Sequence, residues 1–108
     1  MDLLKDIYND FKSYMGKTAE ISGWVRSLRV SKNFGFIVFY DGTFFKTIQV
    51  VFEDNLENFK ELSKVTIGSS LKVTGTIVES PGANQDFELK ASSVEILNIP
   101  DQDAYKFP

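Results

Sequence analysis

The sequence contains no cysteine and no histidine. Without cysteine there is no disulfide framework, no thiolate metal site and no thiol nucleophile. Without histidine there is no Ser–His dyad, no imidazole ligand and no side chain that titrates unperturbed near neutrality. Hydrolytic and metal chemistry lose most of their usual parts, so no catalytic residue and no metal site are expected. Long apolar runs are missing too. None approaches the roughly 20 residues of a membrane span, and the opening MDLLKD is not a signal peptide. A cytoplasmic chain with no membrane contact is the expectation. A basic excess is also absent: the net charge of −3 argues at first against nucleic acid.

The charges are uneven, however. Residues 17–50 hold Lys17, Arg26, Arg29, Lys32 and Lys46 against only Glu20 and Asp41, a local +3. That window overlaps NFGFIVFYDGTFFKTIQVVF (33–52), which carries six of the ten phenylalanines. An apolar fraction of 43% and a charged fraction of 25% are those of a soluble globular protein, and 108 residues suit one domain.

The residue periods divide the chain. In DLLKDIYNDFKSYMG, Leu3, Leu4, Ile7, Tyr8, Phe11, Tyr14 and Met15 follow the stripe of an amphipathic helix. Asp2 is its candidate cap, and Gly16 stands where a left-handed terminal residue is wanted. The period then becomes two. TAEISGWVRS sets Ala19, Ile21, Gly23 and Val25 against Glu20, Ser22, Trp24 and Arg26. A second strand, FGFIVFY, stops at Asp41-Gly42, and a third, TIQVVF, follows. A short helix is capped by Asp54 or Asn55, with Leu56, Phe59, Leu62 and Val65 as its buried stripe. SLKVTGTIVES ends at the Ser80-Pro81-Gly82-Ala83-Asn84 loop, and DFELKASSVEIL is the fifth strand. The tail NIPDQDAYKFP has two prolines and no periodicity.

Helix, three strands, helix, two strands is the order of an all-β, five-stranded OB-fold barrel preceded by an N-terminal helix. The expected organisation is a helix over 1–16, the barrel over 17–98 and a linker over 99–108. Gly23 and Gly75 suit the sharp coiling of such barrels. An SH3-type barrel is the alternative.

Parity then sorts the side chains. Ile48, Val50 and Phe52 point inward in the third strand, leaving Gln49 and Val51 outside. In the fifth, Phe87 and Leu89 point in and Glu88 and Lys90 out. If Ile37 and Phe39 are the buried pair of the second strand, Phe36 lies outside; Phe34 is left unassigned. OB-folds bind oligonucleotides on the face of strands two and three. Phe36, Gln49 and Glu88, with Arg29 just after strand one, are then neighbours on one surface. The chemistry suits unstacked bases. A ring is a platform for any base, and an amide offers the donor and acceptor that match a uracil edge. A carboxylate suits a base edge with donors, such as guanine, and an arginine suits phosphate or carbonyl oxygens. Residue type alone leaves open a second reading, in which Phe36 is covered by a loop or another domain.

GWVRSLRVSKNFGFIVFYDGTFFKTIQVVF (23–52) resembles the first strands of the anticodon-binding domains of asparaginyl-, aspartyl- and lysyl-tRNA synthetases. The shared pattern is G-W-V, one or two arginines, an F-I or F-L strand, an Asp turn and a Q-V strand. The D-G-x-x-F turn and TGTIVESPGANQDFELKAS (74–92) are similar to the asparaginyl branch. The resemblance covers residues 17–97 and implies a domain that grips the anticodon loop of tRNA and reads its central uracil. It implies that Phe36 stacks on that uracil, Gln49 bonds its edge and Arg29 meets the same base or its phosphate. It places Glu88 at a neighbouring base, the first-position guanine. Trp24 belongs to the motif and is assigned to packing; Arg26 and Lys32 serve backbone phosphates or nothing specific. Two departures stand out: Asn84 replaces a glycine before Gln85, and Val38 stands where aspartyl relatives often carry an acid.

The resemblance also implies a homodimeric parent enzyme that uses ATP and Mg to attach asparagine to its tRNA. The chain ends at KFP, before a catalytic domain of that kind would begin, so this fragment is expected to carry no cofactor and no catalysis. An aspartyl-type domain, a general single-strand binder, and a protein-interaction domain docking through Phe36 and Phe44-Phe45 are the alternatives.

Overall fold

β1 (Thr18–Val30) is long enough to serve two neighbours. Its first half pairs antiparallel with β4 (Ser70–Glu79), its second half with β2 (Phe34–Tyr40), and Trp24 takes part in both ladders. β2 pairs antiparallel with β3 (Ile48–Glu53), β3 pairs parallel with β5 (Phe87–Asn98), and β5 pairs antiparallel with β4. The order β1-β2-β3-β5-β4 closes on itself. The structure, a computed structural model, describes residues 1–80 and 87–100. Most of the expected loop after Ser80, including Asn84, and the tail from 101 lie outside the described residues.

Close backbone approach in β1 and β4 depends on glycine. A Cβ on Gly23 would lie 2.1 Å from the Tyr40 carbonyl oxygen, and one on Gly75 2.2 Å from that of Lys90. Neighbouring backbone therefore passes where any other residue would carry a side chain. Alternation fills the interior as expected. Ile21, Val25, Ile37, Phe39, Ile48, Val50, Phe52, Leu71, Val73, Ile77 and Leu89 are all buried. Burying each large apolar side chain stabilises the fold by about 1.5–3 kcal/mol.

Strand one differs from its expected extent in an instructive way. It continues three residues past Ser27, and its register with β2 shifts between Val25 and Ser27, leaving Arg26 as an unpaired bulge. Before the bulge the odd-numbered residues point inward. After it the parity flips: Leu28 and Val30 are half-buried against the core, while Arg29 is exposed. Arg29 is thus part of β1 and faces outward because of the bulge.

The N-terminal helix is two short pieces, α1 (Leu4–Asn9) and α2 (Phe11–Tyr14), broken at Asp10, whose backbone (φ −149°, ψ 56°) is not helical. Leu4 and Ile7 are fully buried, and Tyr8, Phe11, Tyr14 and Met15 pack against the same core. The cap is not Asp2, whose carboxylate accepts from the Glu20 amide at 2.8 Å. Asp41, in the β2–β3 turn, takes that place by accepting from the Leu4 amide at 2.9 Å, while Thr43 Oγ1 accepts from the Lys5 amide at 3.2 Å. Phe44 from the same turn stacks on Tyr8 at 4.7 Å, and Tyr8 meets Phe87 at 4.8 Å. The turn and α1 close one end of the barrel together.

α3 (Phe59–Leu62) closes the other end. Leu56, Leu62 and Val65 are buried and Phe59 lies edge-on to Phe52 at 5.8 Å, so the expected stripe is present. The helix is shorter than expected and starts after Asn58 rather than at Asp54 or Asn55. The Asn58 side chain does not cap it; its amide donates to the Val94 carbonyl at 2.8 Å, tying the connection to β5.

Candidate nucleic-acid interface

Pairing register builds the outer face. In the β1–β2 ladder Arg29 stands opposite Phe36 and Ser27 opposite Val38, and in the β2–β3 ladder Val38 stands opposite Gln49. Paired residues share a face and alternate residues of one strand return to it, so these side chains lie together outside the barrel. Ser27, Leu28, Arg29, Phe36, Val38 and Gln49 line an open groove of about 510 Å³. That volume lies within the range of small-molecule sites. Phe36 is half-buried, so one part of the ring is supported by protein and another is accessible.

Glu88 joins through the parallel seam. Val50 pairs with Leu89, which brings the preceding residues of the two strands side by side. Gln49 Nε2 donates to Glu88 Oε2 at 3.4 Å. Burial pushes the Glu88 carboxyl above the ordinary glutamate range, because the low-dielectric surroundings penalise its charge. A base edge rich in donors would offset that penalty.

The structure thus brings four of the six candidates together: Arg29, Phe36, Gln49 and Glu88. Arg26 sits apart on the bulge with its guanidinium 5.8 Å from the centre of the Tyr40 ring. Lys32 is exposed in the β1–β2 turn and borders a different hollow, shared with Asn33, Asp54 and Phe59. Trp24, assigned to packing by the sequence, lies 5.6 Å from Tyr40 but is exposed, with 43% of its surface accessible.

Phe34 is the residue left unassigned by sequence reasoning. It lies outside with 44% exposure, edge-on to Phe36 with ring centres 5.3 Å apart. The edge of Phe34 supports the Phe36 ring, an arrangement worth about 0.5–1.5 kcal/mol beyond area burial. Its signal was the shared parity of positions 34 and 36, once Ile37 and Phe39 are inside. Phe44 and Phe45 divide: Phe44 packs on Tyr8, while Phe45 is 80% exposed.

Among the described residues no helix is long and apolar enough to cross a membrane, and no group of His, Cys, Asp or Glu is arranged to hold a metal ion.

Comparison with known proteins places the chain in a family. The chain is 61% identical over 94 residues to an asparagine–tRNA ligase of Desulfitobacterium hafniense, covering 87% of this chain and 20% of that one. It is 48% identical over 101 residues to an asparagine–tRNA ligase of Bacillus cereus, covering 94% of this chain and 22% of that one. The chain therefore spans about a fifth of the length of these relatives. Among solved structures, the asparaginyl-tRNA synthetase of Pyrococcus horikoshii complexed with asparaginyl-adenylate superposes with a TM-score of 0.73 at 23% identity, over 89% of this chain and 21% of that one. An OBody bound to hen egg-white lysozyme superposes at 0.70 with 18% identity, over 82% of this chain and 86% of that one. At such identities the two structures speak for the fold alone. The tRNA-anticodon family, described as an OB-fold nucleic acid binding domain, matches residues 19–97, and the chain belongs to it.

Proposed function

We propose that this domain recognises the anticodon loop of an asparagine tRNA, with Phe36 stacking on the central uracil and Gln49 bonding its edge. Arg29, opposite Phe36, meets the same base or its phosphate. Glu88 accepts from the neighbouring first-position guanine. The observation that carries the reading is the shared surface of Arg29, Phe36, Gln49 and Glu88: a guanidinium, a ring and an amide line one groove, and the carboxylate adjoins it through Gln49.

The roles follow from what each group offers. Stacking holds a base without reading it, so the ring supplies affinity. The amide presents a donor and an acceptor side by side, so it discriminates among edges. The carboxylate only accepts, which disfavours a base offering carbonyl oxygens there. Aminoacylation with ATP and Mg, if the parent is an asparagine–tRNA ligase like the relatives, belongs to the length this chain does not span, and this domain contributes substrate selection. We place the parent in the cytoplasm as a homodimer on the same basis.

With a net charge of −3, the domain neutralises few phosphates, so its affinity alone is weak. The test is titration of an asparagine-type anticodon stem-loop at low salt. A central uracil changed to cytosine should weaken binding markedly; equal binding of the two loops would overturn the reading.

A further inference from the structure

The outer face does not end at Phe36. Alternate residues of β2 return to it, so Val38 and Tyr40 follow on the same side. Tyr40 stands opposite Trp24 in the β1–β2 register, with ring centres 5.6 Å apart, and the Arg26 guanidinium lies 5.8 Å from the centre of the Tyr40 ring. The bulge that turns Arg29 outward also places Arg26 beside this pair. A large aromatic surface with 43% of the indole exposed, a phenol and a cation thus form a second cluster on the strand pair that carries the first.

We propose that Trp24, Tyr40 and Arg26 form a further nucleotide subsite, taking a loop base beyond those placed at Phe36 and Glu88. The inference rests on the anticodon-loop reading above and extends it. Continuity identifies the occupant: the same two strands carry both clusters, and a single strand bound at the first lies along the second. Spacing bounds which base it is. Tyr40 is four residues from Phe36, about 13 Å along the strand. Stacked neighbours lie about 3.4 Å apart, so the second cluster does not hold the next base of one stack. It holds a base splayed out two or more nucleotides away, as single-stranded loops permit. Arg26, beside the Tyr40 ring, supplies the charge for that nucleotide's phosphate.

Trp24 is the chain's one tryptophan, so its emission reports on this cluster alone. The experiment follows Trp24 fluorescence and the anisotropy of a labelled asparagine-type anticodon stem-loop in the same titration of the 108-residue chain. Loops carrying one abasic position each are then compared at saturation. Binding should quench Trp24 and shield it from iodide, and one abasic position two or more nucleotides from the central one should abolish the quenching. Trp24→Ala should weaken the intact loop about fivefold or more. Binding with unchanged emission overturns the subsite and leaves the anticodon reading standing. Quenching lost only with the central base assigns Trp24 to the first cluster and overturns the inference. Emission that changes with protein concentration before RNA is added marks a surface covered by a second copy, and also overturns it. No binding at all overturns both proposals.

Discussion

Gln49 Nε2 donates to Glu88 Oε2 at 3.4 Å across the parallel seam between β3 and β5. The two residues lie 39 positions apart, and the contact turns the donor end of the amide toward the carboxylate. The state of that carboxylate therefore bears on the groove and on stability alike.

Burial favours the neutral form of Glu88, so the folded chain holds this proton to a higher pH than the unfolded chain does. The contribution of this group to stability is full below its unfolded value and is lost as pH rises through the folded one. Guanine recognition runs the other way, because accepting with both oxygens from the donors of that edge requires the ionised form. Urea midpoints and stem-loop affinity measured between about pH 4 and 7 should show the two opposed trends. Glu88→Gln should flatten both, and a variant retaining the wild-type pH profile would remove Glu88 from both roles.

Arg29 and Lys32 separate a groove cation from a surface one. Arg29→Ala should weaken the stem-loop about tenfold and, where the contact is to phosphate, lower the salt slope by about 0.7. Lys32→Ala should change affinity by about threefold or less, since Lys32 borders a different hollow. Anisotropy titrations across a salt series distinguish them. Equal losses for both would mean that charge density, not the groove, governs binding.

Asp41 tests the link between the turn and α1. Its carboxylate accepts from the Leu4 amide at 2.9 Å and from the Thr43 amide and hydroxyl at 2.9 and 2.7 Å. Asp41→Ala should cost about 1–2 kcal/mol and lower the midpoint of thermal unfolding by several degrees. Hydrogen exchange should quicken first in Leu4 to Asn9. Asp2→Ala should leave the exchange of that helix start unchanged.

Gly23→Ala addresses the closure of the barrel. The added methyl would lie 2.1 Å from the Tyr40 carbonyl oxygen, and backbone there must move. A loss of about 3 kcal/mol in urea unfolding is expected, at the upper end of overpacking costs. Native stability in this variant would mean that β1 and the Tyr40–Asp41 backbone separate freely.

What the sequence revealed and what it concealed differ in range. Alternation is local, so Ile37, Phe39, Ile48, Val50 and Phe52 were legible as interior, and with them the outward side of Gln49 and Phe36. The two glycines in β1 and β4 were legible for the same reason. The bulge at Arg26 was not. Counting by twos from Val25 would turn Arg29 inward, and only the register against β2 shows the slip. Nor was the cap of α1, because Asp2 is adjacent in sequence and Asp41 is 37 residues from the amide it satisfies. The site followed the same rule. Its residue types were readable, whereas the support of Phe36 by Phe34 and the Gln49–Glu88 contact required the closed barrel.

The most direct measurement is a double-mutant cycle between Phe36 and the central loop base, read as stem-loop affinity for wild type and Phe36→Ala against loops with uracil or an abasic site there. Stacking of that base on Phe36 predicts that either change alone costs about 1–3 kcal/mol and that the second then adds little. Fully additive losses, or no loss in Phe36→Ala, would contradict it.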